Sequence, residues 1–367
     1  MIKLLESSLA EVTRYLETGY GKGAFHAAAL YREVFQHGNP HPLNSPEFLN
    51  SPRLARDLEP VISVNPGTIT ETITEGRLLK FITRLADGLE IESVVIPMTR
   101  YSTLCISSQI GCRMGCVFCQ TGRLGLRRSL TVEEITGQVY NARHGLKKPI
   151  KNVVFMGMGE PLDNLDAVVR SIRILNEQKG FNIALPHITV STAGYVPGIR
   201  RLAELNWPQV RLAVSVNAPD DATRSRLMPI NRKYGLAELK QALTEYPLTQ
   251  RGLFLMEYIL IRGVNDSPDH ALALAGYLKP LPVRLNLIAY NPVGNSDFQS
   301  PSDDDLHRFK TILTEQGIFV INRWSKGRSV TAGCGQLGRG AAPPISEYRE
   351  QPGKQESDLK VVPPQKC

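Results

Sequence analysis

The sequence predicts an α/β protein: a parallel sheet with right-handed crossovers, closed as a barrel or left open, behind a small α+β module. Three observations carry this reading. From Tyr101 onward, short apolar runs alternate with longer amphipathic stretches. Before that point helical patterning gives way to alternating runs, with Asp87-Gly88 as a hairpin turn between the last two. Finally, Cys112, Cys116 and Cys119 follow directly on the first run of the repeating part. In such folds active sites lie at the C-terminal ends of strands.

The organisation follows the chain. Residues 1–97 read as an accessory module, 98–339 as the core and 340–367 as a tail. Leu4, Leu5, Leu9 and Val12 share one helical face, and 24–35 forms a second helix ending near Gly38. Pro40, Pro42 and Pro46 break that pattern, and strands follow at 68–74, 78–85 and 91–96. A strand over 101–107 leads into the cysteines. Thr131, with Glu134 three residues on, caps the next helix. Strands at 152–156, 188–191, 211–216, 253–261 and 284–289 bring the set to about six, with helices at 164–177 and around 197–205. Ser267-Pro268 starts a further helix, and a helix around 304–316 precedes a last strand at 318–322. Pro343, Pro344, Pro352, Pro363 and Pro364 among polar residues mark 340–367 as a disordered extension.

A chain of 367 residues, 42% hydrophobic, can bury one large core and a smaller one. Its net charge of +8 suits an anionic partner, nucleic acid first, although such a charge is ordinary in a soluble protein. Six cysteines, three of them packed together, fit a reducing cytoplasm and a metal centre rather than a secreted disulfide scaffold. The N-terminus is too polar for a signal peptide, and no apolar run approaches the roughly 20 residues of a membrane span. A cytoplasmic protein without a membrane segment is expected.

Cys112, Cys116 and Cys119, beside Gly111 and Gly115, can wrap one inorganic cluster. A 4Fe-4S cluster usually takes four cysteines, so three leave one metal position open for chemistry. The competing readings are a zinc site completed from a distance, a disulfide pair and buried structural thiols. Gly157-Met158-Gly159-Glu160-Pro161 follows the next strand, where glycines admit a ligand to the backbone and Glu160 offers a carboxylate to an amine. A plain turn would explain the same residues, and a dinucleotide fingerprint fails for want of a third glycine. Ser191, Ser215-Val216-Asn217 and Asn291 are polar strand ends, ordinary singly but sharing one rim. Cys105 lies on the first strand. Cys334, between two glycines, reads as a reactive thiol rather than core, whereas Cys367 reads as ordinary tail.

These residues resemble the RlmN/Cfr family of radical S-adenosylmethionine methyltransferases, which methylate an adenine of 23S rRNA. The likeness runs from about Leu89 to Leu337 through Ile91–Pro97, Cys105–Cys119 with Gln120-Thr-Gly, and Leu126–Thr131. It continues through Phe155–Pro161, Ser191-Thr192, Met228-Pro-Ile-Asn231, Asn265-Asp266, Asn286-Leu-Ile and Cys334-Gly-Gln-Leu337. The resemblance implies a partial (β/α)6 barrel and a 4Fe-4S cluster on Cys112, Cys116 and Cys119, its open iron chelated by S-adenosyl-L-methionine. It implies that Gly159, Glu160, Ser191, Ser215, Val216, Asn217 and Asn291 line that cofactor. It makes Cys334 the residue that becomes S-methylcysteine, Cys105 the resolving thiol and Glu92 the proton acceptor near the adenine.

In family terms Cys334 takes a methyl from one S-adenosylmethionine, and a 5′-deoxyadenosyl radical from a second removes a hydrogen from it. The carbon radical adds to the ring, which as an electron-poor carbon resists direct methyl transfer. Attack by Cys105 on the Cys334 sulfur then releases the base and leaves a disulfide bond. The implied partners are RNA (23S rRNA, with tRNA as a second candidate) and an electron donor such as flavodoxin or ferredoxin; a monomer is expected. The chain departs from the family at Asn217, where Ser-Leu-His is usual, and at Val330-Thr-Ala-Gly333, where an Asp-Ala-Ala approach is usual. Methylation at C8, a different substrate, and a non-catalytic RNA-binding protein with structural zinc remain as alternatives. Arg127 and Arg128 read equally as RNA contacts or as a solvated basic turn.

Overall fold

The computed structural model describes residues 1–293, 296–323 and 331–338. The tail expected over 340–367, Cys367 and Val330 lie outside the described residues. The opening helix starts at Leu9 rather than near Leu4. Ser8 and Glu11 form a capping box there: the Glu11 N–H donates to the Ser8 hydroxyl at 3.2 Å and the Ser8 N–H to the Glu11 carboxylate at 2.7 Å. Leu4 and Leu5 instead sit on a 3-10 turn (Leu4–Glu6) and are fully buried. The helix Ala24–Tyr31 runs on through a π turn to Gly38, whose φ of 70° ends it. Tyr31, Phe35 and Phe181 stack at centroid distances of 4.5 and 4.9 Å, joining this helix to the core.

Strands β1 (Ile2–Lys3) and β2 (Ile62–Ser63) pair with each other. Strands β3 (Thr68–Glu75), β4 (Leu78–Arg84), β5 (Glu90–Pro97) and β6 (Ser102–Cys105) are successively antiparallel. A separate ribbon of β7 (Gln109–Gly111) and β8 (Leu126–Ser129) brackets the cysteines. Strand β6 then pairs parallel with β9 (Ile150–Phe155), and the parallel series continues through β10 (Ile188–Thr192), β11 (Arg211–Ser215), β12 (Phe254–Leu260), β13 (Val283–Ala289) and β14 (Val320–Asn322). These ten strands form one sheet in chain order, β3 to β14 with β7 and β8 apart. Among the described residues it has two free edges, as a partial barrel requires.

Because β5 pairs with β6, strands β3, β4 and β5 continue the sheet of the core. The crossover helices Val132–Tyr140 and Leu165–Asn176 pack side by side, as do Pro268–Leu278 and Asp303–Glu315. The Thr131–Glu134 capping box and the Ser267 cap with Pro268 at the first helical position are both present. One continuous apolar core lies between sheet and helices, and a smaller cluster around Phe118, Leu227, Met228 and Tyr290 sits under the cysteine loop. No helix of the described residues is long and apolar enough to cross a membrane.

Candidate active site

The cysteine loop is shaped by the β7–β8 ribbon. At Gly111, φ is +74° and a Cβ would lie 1.7 Å from the Gly125 carbonyl oxygen, so only glycine fits. Next to it the Cys112 N–H donates to that same oxygen at 3.0 Å, and the Cys119 N–H donates to Cys116 O at 3.1 Å. Phe118 anchors the loop in the smaller core cluster. Cys112, Cys116 and Cys119 line one cavity. Burial pushes each of these thiols above its ordinary range, and Cys119 and Cys112 push Cys116 further. A cationic centre would reverse that penalty. Among the described residues no three His, Cys, Asp or Glu converge as ligands of a single metal ion. Three thiols on one cavity wall are the donor set that a 4Fe-4S cluster with one open position would take.

The turn that follows β9, Gly157-Met158-Gly159-Glu160, lines the same cavity through Gly157, Gly159 and Glu160. Gly159 has φ +99°, and a Cβ there would come within 2.5 Å of Gln109. Glu160 is buried, and its two oxygens accept the Leu162 N–H at 3.2 Å and the Ala193 N–H at 2.8 Å. Burial outweighs these bonds and pushes the carboxyl up to about 7. It is therefore poised to ionise when an ammonium arrives. Ser191, Ser215 and Asn217 also face the cavity. Asn217 takes a left-handed φ of 56°; its side-chain oxygen accepts the Ile259 N–H at 2.8 Å and its amide points at Met228 Sδ, 3.2 Å away. Asparagine tolerates this conformation well.

Two expected cofactor residues stand outside the cavity lining. Val216 belongs to the core; its N–H donates to Glu257 O at 3.0 Å and its carbonyl accepts Arg224 Nε at 3.0 Å. Asn291 reaches the other loop, donating to Cys334 O at 3.3 Å.

Cys334 also lines the cavity. Its loop is stapled to the cysteine loop, since the Gln120 N–H donates to Gly335 O at 2.7 Å and Thr121 Oγ1 to Leu337 O at 2.6 Å. The residue is exposed, yet protein atoms crowd its sulfur; that desolvation raises the thiol and Arg323 pulls it back. Cys105, at the end of β6, is buried and pushed up to about 12, by burial first and by neighbouring Cys334 second. The two thiols are thus close enough to sense each other. The five described cysteines are all free, so the expected disulfide bond is absent. The anchors on Gly335 and Leu337 hold the Cys334 loop against the cysteine loop instead.

Glu92 lies away from the cavity. It is fully buried on β5, 3.3 Å from the ammonium of Lys80, and accepts the Gly338 N–H at 3.1 Å. Arg128 grips Glu134 through two bonds of 2.8 Å and Asp87 at 2.7 Å, which commits it to the protein. Arg127 is exposed.

Four residues at the site escaped the sequence reading. Arg323 and Glu257 face the cavity as a loose pair 3.6 Å apart, and Asn286 donates to Glu257 at 2.7 Å. Arg224 is fully buried below the strand ends. Lys80 interrupts the apolar run Leu78-Leu79-Lys80-Phe81-Ile82, and a charge inside such a run was the available signal. Glu257 within β12 carried the same signal; Arg224 and Arg323, on a capped helix and near a strand end, carried none.

The radical SAM superfamily profile matches residues 106–275. A protein of Protochlamydia amoebophila named probable dual-specificity RNA methyltransferase RlmN 1 is 43% identical over 337 residues, 92% of this chain and 94% of its own length. The dual-specificity RNA methyltransferase RlmN of Geobacter sulfurreducens is 41% identical over 92% of each chain. The crystal structure of a radical SAM methyltransferase from Sphaerobacter thermophilus superposes with a TM-score of 0.84 at 36% identity, covering 93% of this chain and all of that one.

Proposed function

The chain belongs to the RlmN family of radical S-adenosylmethionine methyltransferases, and from that premise we propose that it methylates C2 of an adenine in 23S rRNA, with a tRNA adenine as second substrate. The observation that carries this reading is the meeting of Cys112, Cys116, Cys119, Glu160 and Cys334 on one cavity. The relatives' names, with their dual specificity for RNA, support the substrate class. When bound, the 4Fe-4S cluster and S-adenosyl-L-methionine supply the methyl group and the radical chemistry that an electron-poor ring carbon demands.

The chain's own residues do the rest. Cys112, Cys116 and Cys119 hold the cluster. Glu160 takes the cofactor's ammonium, with Gly159 giving it close backbone approach and Ser191, Ser215 and Asn217 completing the wall. Val216 contributes from behind that wall, and Asn291 contributes by holding the carbonyl of Cys334. Cys334 carries the methyl group as S-methylcysteine, for which its sulfur must lose a proton, and Arg323 favours that loss. Cys105 is the resolving thiol; burial holds it protonated, so it must lose that proton before it attacks the Cys334 sulfur. Glu92 is the proton acceptor. Residues 1–97 help to grip the RNA, flavodoxin or ferredoxin supplies electrons, and the protein works as a cytoplasmic monomer.

The test is mass spectrometry of Cys334 in protein purified without oxygen, together with a map of modified adenines in RNA from cells with and without the gene. A methyl on Cys334 and a C2-methyladenine lost with the gene are expected. An unmethylated Cys334 in cluster-loaded protein overturns the proposal, and a change at C8 replaces its ring carbon.

A further inference from the structure

We propose that Lys80 is a positioning residue of this reaction: with Glu92 it clamps both ends of residues 331–338, the stretch that carries Cys334. The proposal rests on reading Cys334 as the methyl carrier. Lys80 and Glu92 have no solvent exposure, and they sit on adjacent strands. In the β4–β5 register Lys80 faces Val94 and Ile82 faces Glu92, so the two charges are diagonal neighbours on one face. An apolar pair would fill this interior at lower cost, because burying charges is expensive and their attraction repays it only with further hydrogen bonds.

Among the described residues, three such side-chain bonds go to the Cys334 stretch. Lys80 Nζ lies 3.3 Å from Glu92 Oε2 and donates to Thr331 O at 3.3 Å and to Thr331 Oγ1 at 2.9 Å. The ammonium thus gives two hydrogen bonds to Thr331 while it is ion-paired with Glu92. Thr331 has a left-handed φ of 49°, a conformation that a β-branched residue keeps only when held. At the far end the Gly338 N–H donates to Glu92 Oε1 at 3.1 Å. One buried ion pair thus reaches the chain on both sides of Cys334, at Thr331 and at Gly338, while Gly335 and Leu337 between them are tied to the cysteine loop.

A consequence follows for the order of events. The carboxylate assigned to take the substrate proton is the same one that anchors Gly338. Drawing Glu92 toward a substrate costs Gly338 its acceptor and weakens Lys80's hold on Thr331. Proton acceptance and release of the Cys334 loop are therefore coupled through Lys80.

Hydrogen exchange read by mass spectrometry on the full, cluster-loaded chain tests this, with Lys80→Met, Thr331→Val and the charge-neutral double variant Lys80→Met/Glu92→Gln. In each, amides of 331–338 are expected to exchange at least about tenfold faster while β4 and β5 stay protected, the mark of a local opening. Methyl occupancy of Cys334 per S-adenosylmethionine consumed is expected to fall in the same variants. Exchange of 331–338 within about twofold of wild type in both Thr331→Val and the double variant overturns the proposal. So does faster exchange spread evenly over β4 and β5, which would make the pair merely structural. Should Lys80→Met fail to fold, the other two variants decide. A wild-type Cys334 that never carries a methyl refutes the functional reading, whereas the exchange data still decide whether the clamp exists.

Discussion

Replacing Arg224 by methionine probes how the cofactor wall is built. The guanidinium is fully buried and fans out to four acceptors: Asn231 Oδ1 at 2.7 Å, Ala193 O at 2.8 Å, Val216 O at 3.0 Å and Ser215 O at 3.1 Å. Three of these are main-chain oxygens at or just past the ends of β10 and β11, beside the residues that line the cavity. Burial lowers the arginine pKa, as expected for a cation with no ion-pair partner among the described residues. Methionine fills the stem but donates nothing. Hydrogen bonds from a charged donor contribute about 1.5–3 kcal/mol each, and relief of the buried charge offsets part of their loss. A net destabilisation of about 3–5 kcal/mol is expected, the range found when a buried charged partner is removed. The strand ends should relax with it and weaken S-adenosylmethionine binding at least about tenfold, or 1.4 kcal/mol. Arg224→Lys should lose nearly as much, since one ammonium cannot span four diverging acceptors. Urea unfolding of the metal-free chain and calorimetric titration of cluster-loaded protein measure the two effects. A variant within about 1 kcal/mol of wild type, with unchanged cofactor affinity, would refute the reasoning.

Two further outcomes are expected. Glu160 has a carboxyl pKa raised from 4.5 to about 7, so its contribution to stability is fully present below pH 4.5 and is lost as pH rises through about 7. In cofactor-free protein the wild type should therefore weaken relative to Glu160→Gln by an amount on the order of 3 kcal/mol between pH 5 and pH 8. Parallel thermal-unfolding curves for the two proteins across that range would sink the assignment, and cofactor affinity should rise over the same interval as the carboxylate forms. Gly111→Ala should fold its sheet yet fail to retain iron, because the new methyl would meet Gly125 O at 1.7 Å and the left-handed φ would be strained. Iron content per chain, set against a normal far-ultraviolet spectrum, measures this, and full iron loading would contradict it.

Where the structure repeats the sequence reading, the determinants are local. The Thr131–Glu134 box, the Ser267-Pro268 start and the Asp87-Gly88 turn each depend on residues a few positions apart, so their hydrogen bonds can be inferred before any packing is known. The same holds for the three cysteines, whose spacing alone puts three thiols on one loop. Locality also explains the misplaced first helix: its apolar spacing extended back to Leu4, but the stronger capping signal at Ser8 decided the start. The β7–β8 ribbon was missed because its strands are too short to show a period.

By itself, then, the sequence determined the βα rhythm and the three cysteines on one loop after the first strand, since each rests on residue type and short spacing. Only the tertiary structure decided which side chains meet. The sheet register sets Lys80 diagonal to Glu92, and the return of the chain after β14 brings Thr331 and Gly338 onto that pair. The crossovers aim Arg224 at three carbonyls, one of them, on Ala193, 31 residues back along the chain, and put Cys334 within electrostatic reach of Cys105. Such contacts join elements distant in sequence, so their geometry follows from strand order and register rather than from any pattern a single segment can carry.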